Sequence, residues 1–283
     1  MTKSQETTGT FRNGLPYNRL GDGPRVLVVF QGLAFENKPL TGLAARLMLS
    51  TYSFLRQMYT TYVVTRKPGL PDGYSMQNMA DDYAVMISEE FGGPVDVIGT
   101  STGGSIAQHF AADHAHLVRR LVLHASAYTL GETAKEVQMR VGHLADQRKW
   151  REASAVLLGF MMSPSRFGKL TAAIGSRLMS ATAPDDPSDL IITVEAEDKH
   201  DFRDRLAEIR APTLVVAGAR DPFYTETLLR DTAAGIPNAR LILYADKGHA
   251  PAGKQFERDV INFLQEDVPG TPDLREENWS TAP

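Results

Sequence analysis

The stretch Val95–Gly104, Val-Asp-Val-Ile-Gly-Thr-Ser-Thr-Gly-Gly, constrains this chain more than any other. Val95, Val97 and Ile98 have the pattern of a short buried strand, and a helix starts at Ser105. Only small residues lie between them. A strand that turns directly into a helix crowds its own backbone, so Gly99 and Gly103 stand where a Cβ would clash. The segment Gly99-Thr100-Ser101-Thr102-Gly103 fits the pattern G-x-S-x-G. Such a turn pushes the Ser101 side chain outward, beside a helix N-terminus whose unpaired N–H groups stabilise developing negative charge. With 23 glycines in 283 residues the five-residue pattern alone is weak, and its strand–turn–helix setting gives it weight.

The flanking chain supplies that setting repeatedly. Residues 1–10 are expected to be a loose tail, and Tyr17–Gly23 an edge strand ending in a turn. Buried strands are expected at 24–30, 62–65, 95–98, 118–124, 212–218 and 239–245. Helical patterns fall at 38–58, through Leu40, Leu43, Leu47 and Leu55, and at 76–87, 224–235 and 253–266. Continuous apolar strands alternating with helices imply a mostly parallel sheet covered on both faces. The alternation stops after His124 and resumes at Pro212. Between them lie helix candidates at 132–146, 149–161 and 166–180, a turn at 183–188 and a short helix at 199–209, with no buried strand.

A serine hydroxyl is a poor nucleophile unless a base takes its proton and an acid orients that base. Asp221, in Gly218-Ala-Arg-Asp-Pro222, follows the strand at 212–218. His249, in Lys247-Gly-His-Ala250, follows the strand at 239–245. Both stand just past strand C-terminal ends, the edge where open α/β sheets bind ligands. The order is Ser…Asp…His. Glu132, after the strand at 118–124, competes with Asp221 as the acid. His249 has six competitors. His109, His114 and His116 are expected at the surface and His124 in the core. His143 and His200, in the helical stretch, are placed at most to touch substrate. Ser105 is one helical turn past Ser101 and is expected to face the helix packing.

Composition narrows the chemistry. The chain has no cysteine, which removes disulfides, thiolate metal sites and a cysteine nucleophile together. A net charge of −4 gives no reason to expect nucleic acid or an anionic membrane surface. No His/Asp/Glu spacing suggests a metal, so neither metal nor cofactor is expected. The polar N-terminus lacks the apolar core of a signal peptide, and no run is long enough to span a membrane, so a cytoplasmic location is expected.

On Gln31-Gly32-Leu33, Gly99–Gly103, Gly218–Pro222 and Gly248-His249 the chain resembles the α/β-hydrolase family, in its cap-bearing, serine-esterase-like branch. The resemblance spans about residues 17–267. It implies an α/β-hydrolase fold with a core of residues 1–126 and 206–267, a helical cap of residues 127–205 and a C-terminal tail of 268–283. It also implies Ser101 as nucleophile, His249 as general base then acid, and Asp221 as its orienting group. The backbone N–H groups of Leu33 and Thr102 would form the oxyanion hole. The family usually has His-Gly where this chain has Gln31-Gly32, so the histidine that orients that loop is absent. Relatives that open epoxides or displace halide carry aspartate at the position of Ser101, which argues against both reactions.

The resemblance implies hydrolysis of a small to medium apolar carboxylic ester through an acyl-enzyme, without a cofactor. Acyl transfer, carbon–carbon bond hydrolysis, or a slow-turnover binding protein with the same triad stay open. Phe160, Met161 and Phe223, with Met162 and Phe167, are candidates to line an acyl pocket; cap packing alone also accounts for the cap residues among them. Glu195, Glu197 and Asp198 are expected on a solvated face, or else to hold a substrate amine.

Overall fold

The computed structural model describes residues 7–162, 175–177, 180 and 183–266. Eight strands form one sheet in the order β1-β2-β4-β3-β5-β6-β7-β8. The strands are β1 (Thr7–Thr10), β2 (Pro16–Leu20), β3 (Arg25–Phe30), β4 (Tyr59–Val64), β5 (Val95–Thr100), β6 (Val118–His124), β7 (Thr213–Gly218) and β8 (Ala239–Tyr244). Strands β3 to β8 are parallel, whereas β1 and β2 are antiparallel additions at one edge.

Period-two alternation divides the core between the two faces of the sheet. Leu27 and Val29 of β3 and Ile98 of β5 face one side with Leu49, Phe256 and Val260, from helices α1 (Gly42–Ser50) and α8 (Lys254–Gln265). Val28 and Phe30 of β3 and Val97 of β5 face the other, with α2 (Met76–Phe91), α3 (Thr102–Asp113) and α7 (Glu226–Gly235). Between β6 and β7 the chain forms α4 (Glu132–Asp146), α5 (Trp150–Met161) and α6 (Ser188–Asp198). Buried residues of all three, among them Val141, Leu157 and Val194, join the core on the side of α2 and α3. No helix among the described residues is long and apolar enough to cross a membrane.

Several sequence expectations need correction. Residues 7–10 are strand rather than tail: they pair with β2, Thr7 opposite Arg19 and Thr10 opposite Pro16. The hairpin turns through Asn13-Gly14, with Gly14 at φ 93°, and Phe11 packs against Tyr17, Tyr62 and Phe91. Tyr17–Gly23 is therefore not the edge. The helical pattern at 38–58 shrinks to α1 and a 3₁₀ turn at Ser53–Leu55; α1 buries Ala45 and Leu49 and leaves Leu43 and Leu47 exposed. Helix α6 was not expected, and the short helix at 199–209 is a 3₁₀ turn at Arg203–Glu208. Most of the helix expected at 166–180, and Phe167 with it, lies outside the described residues.

Candidate active site

Because β3 to β8 run in parallel, their C-terminal ends share one edge, and the loops leaving β3, β5, β7 and β8 converge there. Ser101 follows β5 at φ 53° and ψ −126°, a backbone conformation that L-residues seldom adopt. Its N–H donates to the carbonyl of His124 on β6, and its own carbonyl accepts from Gly104, which fixes the turn from both sides. The two motif glycines are required by contact: a Cβ on Gly99 would lie 2.6 Å from Gly104 Cα, and one on Gly103 would lie 2.0 Å from the carbonyl oxygen of Phe30.

The structure brings Ser101, Asp221 and His249 into one hydrogen-bonded line. His249 Nε2 lies 3.1 Å from Ser101 Oγ, and His249 Nδ1 lies 2.8 Å from Asp221 Oδ2. The other oxygen, Asp221 Oδ1, accepts the backbone N–H groups of Phe223 at 2.8 Å and Tyr224 at 3.3 Å. With both oxygens occupied, the carboxylate is fixed in orientation. The Phe223 ring centre is 4.6 Å from that of His249, and Tyr224 stacks on His249 at 6.1 Å. Glu132 sits at the start of α4 with its side chain 91% exposed beside Lys135, away from this line.

Leu33 lies in the loop after β3, and Thr102 is the first residue of α3. Neither backbone N–H has a hydrogen-bond partner among the described residues. The loop lies against the serine, since a Cβ on Gly32 would stand 3.3 Å from Ser101 Cβ. In place of the missing histidine the loop has Arg66, 1% exposed at the end of β4. Its Nη1 donates to the carbonyls of Gln31 at 3.1 Å and Gly32 at 3.2 Å. Burial pulls its guanidinium below the ordinary arginine value.

Phe160, near the end of α5, meets Phe223 edge to face at 4.8 Å, so an aromatic pair from the insertion and the β7 loop adjoins His249. Met161 is partly buried against the main core, and Met162 is 37% exposed.

The acidic run is not a solvated face throughout. Glu197 is wholly buried. Its Oε2 accepts the Thr102 hydroxyl at 2.6 Å, and its Oε1 accepts the hydroxyls of Tyr224 at 3.1 Å and Ser105 at 3.2 Å. Ser105 thus faces α6. Burial pushes the Glu197 carboxyl up, against the pull of these donors and of Gln138. Glu195 and Asp198 are partly exposed.

Of the other histidines, His124 is a core residue. Its Nε2 lies 2.9 Å from the carbonyl of Pro251, and burial pushes it down to about 4. His116 and His143 are exposed, and His114 pairs with Asp81. His109 departs from expectation. It is half-buried between His200 and Phe202, with ring centres at 5.3 and 4.7 Å, and burial lowers it to about 4. His109 and His200 line a separate cavity of about 190 Å³ between residues 73–77, α3 and α6, which includes none of Ser101, Asp221 and His249.

The model of the alpha/beta hydrolase fold family matches residues 64–252. The chain belongs to this family. It is 29% identical over 195 residues to a pimeloyl-[acyl-carrier protein] methyl ester esterase of Chromobacterium violaceum, covering 66% of this chain and 75% of that protein. It is 31% identical over 182 residues to a 2-hydroxy-6-oxononadienedioate/2-hydroxy-6-oxononatrienedioate hydrolase of Paraburkholderia xenovorans, covering 60% of this chain and 62% of that one. Among solved structures, an alpha/beta hydrolase enzyme from a Medee basin deep-sea metagenome library superposes with a TM-score of 0.76. It is 15% identical and covers 94% of this chain and 100% of that chain, a likeness of fold alone.

Proposed function

We propose that this α/β-hydrolase is a serine hydrolase that cleaves a carboxylic ester of a small to medium apolar substrate without a cofactor. The observation that carries this is the line Ser101 Oγ – His249 Nε2 and Nδ1 – Asp221 Oδ2, with links of 3.1 and 2.8 Å. Ser101 Oγ attacks the ester carbonyl carbon as His249 Nε2 takes its proton. The resulting oxyanion accepts the N–H groups of Leu33 and Thr102. The intermediate collapses, and the imidazolium gives its proton to the departing alkoxide, which leaves as the alcohol. Water then gives a proton to His249 and attacks the acyl carbon, and Ser101 leaves as the alcohol, reprotonated by the same nitrogen. Asp221 holds Nδ1–H and stabilises the positive ring.

The insertion of residues 127–205 acts as a cap in this reading, and Phe160, Met161 and Phe223 supply apolar surface to the acyl chain. Support for an ester comes from that aromatic pair beside His249 and from the methyl ester esterase among the relatives. The test is steady-state turnover of p-nitrophenyl esters of rising acyl length by wild type and Ser101→Ala. By analogy with serine-protease triads the variant should lose about a million-fold in turnover while melting like wild type. A folded Ser101→Ala protein near wild-type rates refutes the proposal. Wild-type protein that spares every ester but cleaves a vinylogous diketone assigns the site to carbon–carbon hydrolysis instead.

A further inference from the structure

We infer that Glu197 is a positioning residue, a carboxyl delivered by the inserted helix α6 that holds the oxyanion-side residue Thr102 and the histidine-side residue Tyr224 in one frame. The inference rests on the serine-hydrolase reading of the site. Glu197 touches none of the reacting atoms. Two of its partners are one step from them. The hydroxyl bonded to Oε2, at 2.6 Å, belongs to Thr102, whose N–H is the proposed oxyanion donor next to Ser101. The Tyr224 hydroxyl is bonded to Oε1, its N–H to Asp221 Oδ1, and its ring stacks on His249. Ser105, on the next turn of α3, is the third hydroxyl donor.

A role in stability alone explains this arrangement poorly. A buried carboxyl is costly, and an apolar side chain of similar volume is often neutral or better for stability at such a place. What the carboxyl provides is direction. Three hydroxyl donors from α3 and the β7 loop converge on two oxygen atoms, and their lengths fix the α3 N-terminus relative to the loop that carries Asp221. Helix α6 is itself anchored at its other end, where Asp189 accepts the N–H groups of Gly69 at 3.1 Å and Leu70 at 2.8 Å. The carboxyl is thereby held against the core from both ends of its helix.

The discriminating variant is Glu197→Leu, which fills the space and removes the acceptors; Glu197→Gln keeps one acceptor oxygen. Two rates are read: ester turnover, and phosphorylation of Ser101 by diethyl p-nitrophenyl phosphate. That small probe needs the triad and the oxyanion hole but little of the acyl pocket. Misplacement of such groups by about 1 Å costs up to about 100-fold. Glu197→Leu should therefore lose about 10- to 100-fold in kcat and in probe reactivity alike, with KM within about twofold, while melting cooperatively. Glu197→Gln should recover part of both rates. Glu195→Gln, on the same helix, should leave both unchanged.

If Glu197→Leu does not fold, Thr102→Val removes the same 2.6 Å bond from the core side and should show the same paired loss. A folded Glu197→Leu, or Thr102→Val in its place, that reacts with the probe at the wild-type rate overturns the inference. So does a variant that changes only KM. Wild-type Ser101 that fails to react with the probe and turns over no ester instead overturns the serine-hydrolase reading beneath it.

Discussion

Replacing Asp221 with asparagine tests the relay at its most constrained point. Asp221 Oδ1 accepts two backbone N–H groups, from Phe223 and Tyr224, and Oδ2 accepts from His249 Nδ1. In Asp221→Asn the amide oxygen must keep the Oδ1 place, because an amide nitrogen there would face two donors. The NH₂ group then takes the Oδ2 place and points its hydrogen at His249 Nδ1. The ring responds by accepting at Nδ1 and carrying its proton on Nε2, so it faces Ser101 Oγ, at 3.1 Å, with a donor and no base. The corresponding tautomer error in serine-protease triads costs about ten-thousand-fold, or about 5.4 kcal/mol of barrier. The assay is kcat for p-nitrophenyl acetate with active sites counted by titration, alongside a melting curve. Glu132→Gln, at a residue whose side chain is 91% exposed, should cost little. Asp221→Asn within tenfold of wild type, or a loss in Glu132→Gln equal to it, refutes the assignment of the acid.

Three further outcomes are expected. Leu33→Pro removes a proposed oxyanion donor and should cost roughly 2.7–4 kcal/mol of transition-state stabilisation, whereas Leu33→Ala should be far milder; equal kcat losses place the effect in the side chain. Phe160→Ala or Met161→Ala should shift the preferred acyl length by about 0.8 kcal/mol for each methylene no longer buried, read as unequal changes in kcat/KM across an ester series. The same loss for every ester and for the small phosphate probe contradicts this. His124 and His200 are held neutral by burial, at about 4 and about 3. Below the unfolded value of about 6.5 the unfolded chain binds the extra protons. Stability should thus be full above pH 6.5 and fall towards pH 4 by up to about 1.4 kcal/mol per unit for each histidine; an unchanged urea midpoint between pH 7.5 and 5 contradicts it.

Features set by local rules were legible in the sequence. The turn at Ser101 follows from small residues between a strand and a helix, and Asp221 and His249 from their places just past strand ends. Strand β1 also had a local signal, the Asn13-Gly14 pair after a threonine-rich segment, which is a hairpin pattern. Helix α6 had none. Leu190, Ile192, Thr193, Val194, Ala196 and Glu197 are all buried, so it shows no one-sided stripe. Glu197 was illegible for a different reason. Its partners Thr102 and Ser105 are 95 and 92 residues away, and nothing near it in sequence distinguishes a buried carboxyl from an exposed one. The same holds for His109, whose burial depends on His200 and Phe202 arriving from the insertion.

The absent histidine of the proposed oxyanion loop shows how one local requirement can be met by other means. In a trans peptide the C=O and the N–H of one unit point in opposite directions. Arg66 Nη1 holds the carbonyl of Gly32, so the N–H of the same unit, that of Leu33, points away from Arg66. On the other side the Ser101 carbonyl accepts from Gly104 at 2.7 Å, which turns the N–H of Thr102 the opposite way. Both proposed donors thus belong to peptide units whose carbonyls are already engaged. A loop so held does not have to reorganise as negative charge develops, and fixed dipoles of this kind are the largest single source of stabilisation in acyl transfer. The orienting group has to be cationic or a strong donor, fully buried, and within reach of two carbonyls. Arg66 meets all three conditions from just past β4, one strand away from the loop proposed to need it.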